Sequence, residues 1–529
     1  MGRITIIEAD KQMETTQNAA IVEQEKRQDI LTAAKGGGIT FAGKLFEYVV
    51  RFAFGILIAR TVGVEQYGLY TLGITVSLIA SNMAMLGLQV GMVRFLPPVI
   101  REKDQKSIWG IIQICLGLPG FFSLFLAAGL FLLADPLNSL IFHDPRMVPI
   151  LRLVSLMIPL DTLASMAYVI TISYKQPKYT VITNSILTPL LKLMLAAGFL
   201  ALGLSTKGVL ISQIIASVVG LAVLIYFVNT LFSLRRAFGS ARQHIAPLLR
   251  YSLPVQLGWM ITTLRSTFST LVLGFLGLAT GVGVYTAASR FSMIGAMFYQ
   301  SVGNISTPII ADLHSQHETL KMEAYYQTTT RWMVLFNLPI FLTSVIFAEP
   351  LLSIFGDDFT TGAASMIILA FGTLAYTGTG VGANILDMTD HPKVNTINSA
   401  IMVFVTISLN VLLIPPLGVV GAAVASSIST ILANVVCLIE VWAFIGIQPY
   451  NRSFFKPLLA GLIAALAAYL LKRSLDLSLL LQLLLEGGML WAVYALILYS
   501  LKLEPEDKVV IERFFSRFRQ KLPIARDAS

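Results

Sequence analysis

Charged side chains within long apolar segments are the residues of this 529-residue chain whose types and spacing could do chemistry. Lys44, Glu47 and Arg51 follow one another at i, i+3 and i+7, so a helix would place all three on one face. A charged residue inside a membrane span costs at least ~2.5 kcal/mol and therefore usually faces a cavity or a partner. The spacing indicates a stripe with a net positive charge, in which Glu47 can pair with either base.

Two further arginines, Arg265 and Arg290, lie in later apolar segments. Arginine suits a phosphate or another anionic group because its planar fork donates two parallel hydrogen bonds and remains charged at any working pH. We therefore predict that Arg51, Arg265, Arg290 and Lys44 bind an anionic substrate. The alternative is structural: Glu47 neutralises Arg51, Arg265 pairs between helices, and Lys44 and Arg290 extend to the lipid headgroups.

Two acids, Glu47 and Asp161, are the candidates for coupling transport to an ion. A carboxylate buried in a span can carry a proton or, with nearby oxygens, hold Na⁺, although helix packing is an equally good explanation. Lys192, beside Pro189, has no counterpart later in the chain and is not included. The sequence shows no phosphate-cradling glycine loop, metal-ligand cluster or nucleophile–base pair. We therefore expect that the protein is not an enzyme. We also expect no cofactor, apart from H⁺ or Na⁺ as a coupled ion.

The composition is that of a membrane protein. Hydrophobic residues make up 56% of the chain and charged residues 13%, and the mean hydropathy is +0.76. Apolar runs of about 20 residues, each long enough to cross a bilayer, recur along nearly the whole chain. They predict an all-α polytopic protein with about 14 spans, at 39–60, 68–94, 108–134, 148–172, 180–203, 208–233, 252–275, 283–311, 330–355, 361–387, 394–414, 418–447, 455–471 and 477–501.

The positive charges predict the orientation. With residues 1–35 placed in the cytoplasm, 27 of the 38 lysines and arginines lie in cytoplasmic segments and 6 in outer loops. Cytoplasmic loops carry such an excess, so both termini are expected to be cytoplasmic. Residues 1–35 have no apolar core or cleavage site and are not a signal peptide. Residues 503–529 have the pattern of a basic amphipathic helix, which suits an anionic lipid surface or remains a solvated tail.

An internal repeat predicts the architecture. Pro177 and Pro392 begin similar motifs 215 residues apart, "YGLYTLGITV" resembles "VGVYTAASRF" at the same offset, and "KGVLISQIIAS" resembles "VGAAVASSIST". The offset covers six spans, an even number, so the halves are parallel repeats: lobes at 36–247 and 248–450, followed by two helices at 451–502. Arg51 and Arg265 then occupy near-equivalent positions. Such a repeat is typical of transporters that work by alternating access.

The stretch "LIARTVGVEQYGLYTLGITVSLIASNMAMLGL" and the "YSLP" from Tyr251 resemble bacterial polysaccharide flippases of the multidrug/oligosaccharidyl-lipid/polysaccharide exporter superfamily. The shared residues of the first motif are Ala59, Arg60, Gly63, Glu65, Tyr67, Gly68 and Tyr70. The resemblance implies that an undecaprenyl-pyrophosphate-linked oligosaccharide is flipped outward across the bacterial cell (inner) membrane. It also implies membrane lipids, a polysaccharide polymerase and glycosyltransferases as partners.

Other functions stay open. A drug exporter of the same superfamily would favour an acidic, aromatic-lined cavity, since organic cations bind carboxylates and ring faces. The excess of intramembrane bases favours an anionic lipid instead. A lipid II flippase is compatible with the two additional spans, but the "YGLY" pattern favours the polysaccharide branch. A membrane-bound polymerase or glycosyltransferase would usually carry a large loop or a soluble domain, and this sequence has no large soluble insertion. A scaffold that only organises such enzymes would not need the charged stripe. No nucleic-acid partner is expected.

Overall fold

A computed structural model describes residues 40, 42–232, 242–474, 478–501 and 504, which are helical apart from short turns and contain no β-strand. The helices, in chain order, are α1 (42–62), α2 (Val64–Ala84), α3 (Leu88–Glu102), α4 (Gln105–Leu132), α5 (Ala134–Leu137), α6 (Met147–Ser155), α7 (Met157–Ser173), α8 (Pro177–Thr180), α9 (Thr188–Ala201), α10 (Ser205–Leu231), α11 (Arg242–Phe275), α12 (Ala279–Ser315), α13 (Thr319–Ile346), α14 (Ala348–Ser353), α15 (Ala363–Gly378), α16 (Gly382–Met388), α17 (Pro392–Ile445), α18 (Phe455–Ser474), α19 (Leu479–Leu481) and α20 (Gly487–Ser500). Short π-helical turns lie at Asn138–Phe142, Val181–Leu187 and Gln482–Glu486, and 3₁₀ turns at Asp357–Gly362 and Arg452–Phe454.

Every predicted span is helical over most of its described length, which confirms the all-α membrane architecture. By length and apolar composition alone, nine helical segments of the described chain can cross a membrane, and the bent pair α2–α3 makes a tenth. One of the nine, α17, has 54 residues and breaks at Gly418, so it contains two predicted spans. The remaining three spans, α1, α11 and α12, are too charged or too polar for that test. They are the helices that carry the candidate residues Lys44, Glu47, Arg51, Arg265 and Arg290.

The chain divides into two compact units. The first unit consists of Ser77–Ala134, Pro149–Trp259 and the described part of Met1–Leu57. Its core lies among α3, α4, α7, α10 and the start of α11, where large aliphatic side chains are fully excluded from solvent. Members of this core include Leu88, Met92, Ile111, Ile170 and Leu224. Because lipid tails are as apolar as these side chains, van der Waals packing among them holds the helices together.

The second unit consists of Ile58–Val76, Asp135–Val148 and the described part of Met260–Ser529. One core forms among α12, α13, α16 and α17 and includes Tyr299, Tyr326 and Ile385. Another forms where the two C-terminal helices α18 and α20 pack against α13 and α15. The additional helices are therefore an integral part of this unit.

The repeated Pro-Lys motifs have the same local structure in both units. Helix α8 begins at Pro177 and α17 at Pro392, and each proline is in the first helical turn. Proline is favoured there because its missing N–H has no helical acceptor in any case. In each motif a residue two positions earlier has a positive φ, 56° at Lys175 and 67° at Asp390. The same turn thus starts a helix twice.

A second pair of repeated residues, Gly208 and Gly421, also has a shared role. A Cβ atom on Gly208 would lie 2.7 Å from the Cβ of Leu204, and one on Gly421 would overlap the carbonyl oxygen of Leu413. Both glycines allow the beginning of a helix to approach the segment just before it. The repeat read from the sequence therefore corresponds to equivalent packing positions.

Several predictions concern residues outside the described part of the chain. They are the cytoplasmic tail at 1–35 and nearly all of the basic amphipathic tail at 503–529. The lobe boundaries at 247 and 450, and the cytoplasmic side of both termini, stay predictions.

Candidate functional site

The three charged residues of α1 form one ion-paired group. The Lys44 Nζ donates to Glu47 Oε2 at 2.9 Å, and the Arg51 Nη2 lies 2.8 Å from Glu47 Oε1. Each carboxylate oxygen thus contacts a different base, one turn before and one turn after it. Glu47 therefore pairs with both bases at once, whereas the sequence left open which of them it would choose.

A π-helical turn at Val181–Leu187 brings a hydroxyl to the same carboxylate. The Ser185 Oγ donates to Glu47 Oε2 at 3.0 Å, and Ser185 is buried. Close packing supports the contact, because a Cβ on Gly43 would overlap the Val181 side chain. π-Helical turns occur frequently at functional sites because the extra residue redirects side chains. Here the turn lies in the repeated motif "YKQPKYTVITNSI".

A second acid and base extend the group within the first unit. The Ser217 Oγ, on α10, donates to Asp161 Oδ1 on α7 at 3.2 Å. Lys192, on α9, interacts electrostatically with Asp161 and Glu47, and Arg51 with Asp161 and Lys192. We call Lys44, Glu47, Arg51, Asp161 and Lys192 the first-unit charge cluster. It contains three bases and two acids from three helices.

Exposure differs strongly between the acid and the bases on α1. The Glu47 side chain is only 7% exposed, whereas that of Lys44 is 55% and that of Arg51 is 67% exposed. The carboxylate is thus an internal anchor, and the cationic groups extend outward from it. One guanidinium nitrogen of Arg51 thus contacts the buried carboxylate, while most of its side-chain surface is exposed.

In the second unit, Arg265 has a different environment. It is partly buried on α11 and makes no hydrogen bond or ion pair with the described residues. Its charge acts on the hydroxyl of Tyr376, whose ring is in contact with that of Tyr299 at a centroid distance of 3.9 Å. The cation is therefore near aromatic hydroxyl groups, and a membrane-embedded arginine without an acidic partner is a candidate for binding an anion.

Arg290, on α12, is also in the second unit, and its Cζ lies 5.9 Å from the ring centroid of Tyr67. Tyr67 is fully buried, and its hydroxyl has no hydrogen-bond partner among the described residues. Next to it, a Cβ on Gly68 would overlap the carbonyl oxygen of Ala279, and one on Gly283 would overlap that of Val64. The repeat-related glycines Gly68 and Gly283 thus form one close helix crossing.

Two other residues of the "AR…G…E" motif have structural contacts. The Arg60 Nε donates to the carbonyl oxygen of Ile354 at 2.7 Å, just after α14. Glu65 pairs with Arg146, which also donates to Asp144. In the loop, hydrogen bonding from Arg146 lowers the pKa of Asp144 below its ordinary value. These motif residues position helix ends and a loop.

Sequence reasoning set Lys192 aside, and the structure brings it into the first-unit charge cluster. Lys192 was excluded because the second half of the chain has no equivalent lysine. That reason was poor, because a lone lysine in an apolar run is costly wherever it occurs. That cost is the signal that could have identified it. The described residues contain no group of three metal-ligating side chains. The predicted binding and coupling roles of Arg51, Arg265, Arg290, Lys44, Glu47 and Asp161 stay predictions.

Comparison with protein families supplies independent information. A family model described as "Polysaccharide biosynthesis protein" matches residues 33–314, and a second, MatE, matches residues 254–412. The first match covers more than half of the chain.

Among curated proteins, the chain is similar to the probable low-salt glycan biosynthesis flippase Agl15 of Haloferax volcanii, with 26% identity over 47% of this chain and 53% of that protein. It is also similar to the capsular polysaccharide biosynthesis protein CapF of Staphylococcus aureus, with 28% identity over 34% of this chain and 46% of that protein. The chain thus spans about half the length of the curated relatives it matches.

Among solved structures, the lipid II flippase MurJ in an inward closed conformation superposes with a TM-score of 0.72. The match covers 86% of this chain and 97% of that chain at 15% sequence identity. At this identity the likeness shows a shared fold.

Proposed function

This chain belongs to the polysaccharide biosynthesis protein family, and we propose that it is a flippase for a lipid-linked glycan. Its substrate is an undecaprenyl-pyrophosphate-linked oligosaccharide, which it moves from the cytoplasmic to the outer leaflet. The names of Agl15, a probable glycan biosynthesis flippase, and CapF, a capsular polysaccharide biosynthesis protein, support this assignment.

The observation that carries the proposal is the first-unit charge cluster. The cluster has three bases and two acids, so it carries an excess positive charge within apolar helices. Such a charge is costly inside a membrane unless an anionic ligand pairs with it. The buried Glu47 holds Lys44 and Arg51 in place through contacts of 2.9 and 2.8 Å. Because these bases are more than half exposed, they can donate to a pyrophosphate without first losing their anchor.

The second unit contains two further arginines, which do not belong to the charge cluster. Arg265 has no acidic partner among the described residues and lies near the Tyr376 hydroxyl. We assign Arg265 and Arg290 to the same substrate, at a different stage of transport. Glu47 and Asp161 remain the candidates for coupling to H⁺ or Na⁺.

A drug exporter is the less favourable assignment. An organic cation would be bound by an accessible carboxylate, but Glu47 is 7% exposed and contacts two bases. The fold shared with MurJ does not identify the glycan, so lipid II is a second substrate for the assay. The cell membrane, cytoplasmic termini, and polymerase and glycosyltransferase partners belong to this proposal as well.

The proposal is tested with the full chain in proteoliposomes that contain a fluorescent undecaprenyl-pyrophosphate oligosaccharide. The fraction of label accessible to an external quencher is followed for the wild type, Arg51→Ala, Arg265→Ala and the double variant. Lipid II and a fluorescent organic cation are tested in parallel. Vesicle reconstitution efficiency and the thermal unfolding midpoint control for loss of folded protein.

We expect the wild type to equilibrate the oligosaccharide lipid between leaflets. Each arginine variant should slow the transfer at least about tenfold, the equivalent of one lost charge-assisted hydrogen bond. Transport of the organic cation alone would overturn the flippase assignment. Transfer at the wild-type rate by the double variant would overturn the role of the arginines.

A further inference from the structure

A pocket in the first unit, separate from the charge cluster, contains two arginines. It has a volume of about 530 Å³ and is lined by Arg94, Phe95, Ala246, Pro247, Arg250 and Tyr251. Helix α3 supplies the first two of these residues, and the beginning of α11 supplies the other four. Neither arginine was among the candidate site residues.

The "YSLP" motif builds this pocket by close packing of α3 and α11. Ser252 is fully buried, and a Cβ on Gly91 would overlap its hydroxyl oxygen. A Cβ on Gly87, whose φ is 71°, would overlap the Ser252 carbonyl oxygen. The Gln256 Nε2 also donates to the Asn82 carbonyl oxygen at 2.5 Å. These contacts fix the neighbouring Tyr251 in the pocket.

The Arg94 side chain is preorganised by a ring contact, and neither arginine has an acidic partner among the described residues. The Arg94 Cζ lies 4.3 Å from the Tyr251 ring centroid, and the Phe95 and Tyr251 rings pack edge to face at 6.0 Å. Neither Arg94 nor Arg250 makes an ion pair or hydrogen bond with the described residues, and both are exposed. Stacking on a ring face leaves the donor edge of a guanidinium available, which suits bidentate binding of a phosphate.

An apolar stripe continues from the pocket along α11. Leu253 and Leu257 follow Arg250 at i+3 and i+7 and are 46% and 62% exposed. Along that face of α11 a cationic side chain is therefore followed by apolar side chains. This order matches that of an anionic phospholipid, in which a charged headgroup is followed by an acyl chain. Arg94 lies in the middle of α3, two helical turns before Arg101, and the charge distribution predicts that both arginines are cytoplasmic.

We propose that this pocket binds the phosphate headgroup of an anionic phospholipid, with an acyl chain along Leu253 and Leu257. The lining has two guanidinium groups but no amide or carboxylate to bind sugar hydroxyls, which favours a compact phosphate over a glycan. The site is independent of the transported substrate.

Native mass spectrometry of the full chain tests this site. Binding of dioleoyl-phosphatidylglycerol is compared with that of dioleoyl-phosphatidylcholine in the wild type, Arg94→Gln, Arg250→Gln and their double variant. We expect the wild type to prefer phosphatidylglycerol and each substitution to weaken its binding about tenfold. Arg94→Lys and Arg250→Lys should give smaller losses, because they keep the charge but not the planar fork.

Arg101→Gln is the matched control, because it removes an exposed arginine of α3 that does not line the pocket. It should leave phosphatidylglycerol binding within about twofold of the wild type, as expected for a rim charge. An equal loss in Arg101→Gln would overturn the site in favour of a general basic surface. Full displacement of phosphatidylglycerol by equimolar inorganic phosphate, or a preference for undecaprenyl phosphate, would overturn the phospholipid assignment.

Discussion

The repeat-related arginines Arg51 and Arg265 have opposite electrostatic environments. Arg51 is 2.8 Å from a buried carboxylate that a lysine and a serine also contact. Arg265 has no ion pair or hydrogen bond within the described residues and lies near the Tyr376 hydroxyl. The two halves have thus retained a cation at the same position and surrounded it differently.

This difference separates two ways to keep an arginine inside a membrane. In the first unit, acids and bases offset one another's cost, so the cluster should contribute to stability. In the second unit, nothing in the described chain offsets the charge, so Arg265 should contribute little to stability. Changes to the first-unit cluster are therefore expected to destabilise the fold, and changes to Arg265 are not.

The largest effect should come from leaving Glu47 without its bases. The double substitution Lys44→Met with Arg51→Met keeps the side chains long but leaves the buried carboxylate with the Ser185 hydrogen bond and an electrostatic interaction with Lys192. Removal of one side of a buried ion pair costs about 3–5 kcal/mol. We expect a loss of that size in the free energy of unfolding, measured by denaturant titration in detergent.

Two variants sharpen this result. Adding Glu47→Gln to the double variant should recover most of the lost stability, because no unpaired charge remains. Arg265→Met, the matched substitution in the second unit, should not lower stability, because it removes an intramembrane charge that no described acid offsets. A large loss for Arg265→Met would show that the two arginines are equally structural.

A smaller effect is expected for the hydroxyl that contacts Glu47. Ser185→Ala removes a hydrogen bond to a carboxylate, which is worth about 1.5–3 kcal/mol. Ser301→Ala is the control in the second unit, since Ser301 donates only to the carbonyl oxygen of Met297 in its own helix. If both substitutions have the same small effect on the unfolding midpoint, Ser185 does not support the cluster.

The loop pair Asp144–Arg146 should make stability depend on pH weakly. Hydrogen bonding from Arg146 lowers the pKa of Asp144 in the folded chain. The pair therefore contributes to the free energy of unfolding when the pH is above the ordinary aspartate pKa. It loses this contribution as the pH falls through the pKa of Asp144 in the folded chain. Because both partners are partly exposed, Arg146→Gln should lower the unfolding midpoint slightly at pH 7. It should have no effect once both Asp144 and Glu65, the two acids that pair with Arg146, are protonated, and an equal effect at both pH values would contradict this account.

The smallest effect should follow from Tyr67→Phe in the second unit. The Tyr67 hydroxyl is buried without a hydrogen-bond partner among the described residues, while its ring packs edge to face with Phe359 at 5.8 Å. Removing an unsatisfied polar atom without changing the ring should not destabilise the fold. A marked destabilisation, measured by thermal unfolding, would reveal an unrecognised partner for the hydroxyl.

The fold was predictable because hydropathy and repeats are properties of the linear sequence. Spans follow from the length of apolar runs, and the pair Pro177 and Pro392 already implied two similar turns. The site was only partly predictable. The i, i+3, i+7 spacing of Lys44, Glu47 and Arg51 is local, so helix geometry alone brings them together.

The other members of the site depend on tertiary packing. Ser185 reaches Glu47 through a π-helical turn, and no sequence pattern in "VITNSIL" specifies its extra residue. Lys192 and Asp161 come together only when α7 and α9 pack around α10. Contacts of this kind join residues far apart in sequence, where neither spacing nor composition carries information.

The most direct test of the central claim is a binding measurement with three lipids that differ only at the headgroup. The full chain is titrated with undecaprenyl pyrophosphate, undecaprenyl phosphate and undecaprenol, using the wild type, Arg51→Gln and, as a control outside both the charge cluster and the α3–α11 pocket, Arg101→Gln. We expect the wild type to bind the pyrophosphate at least about tenfold more tightly than the alcohol. Arg51→Gln should lose this preference, and Arg101→Gln should keep it. Equal binding of all three lipids by the wild type would contradict the claim that the charge cluster recognises a pyrophosphate.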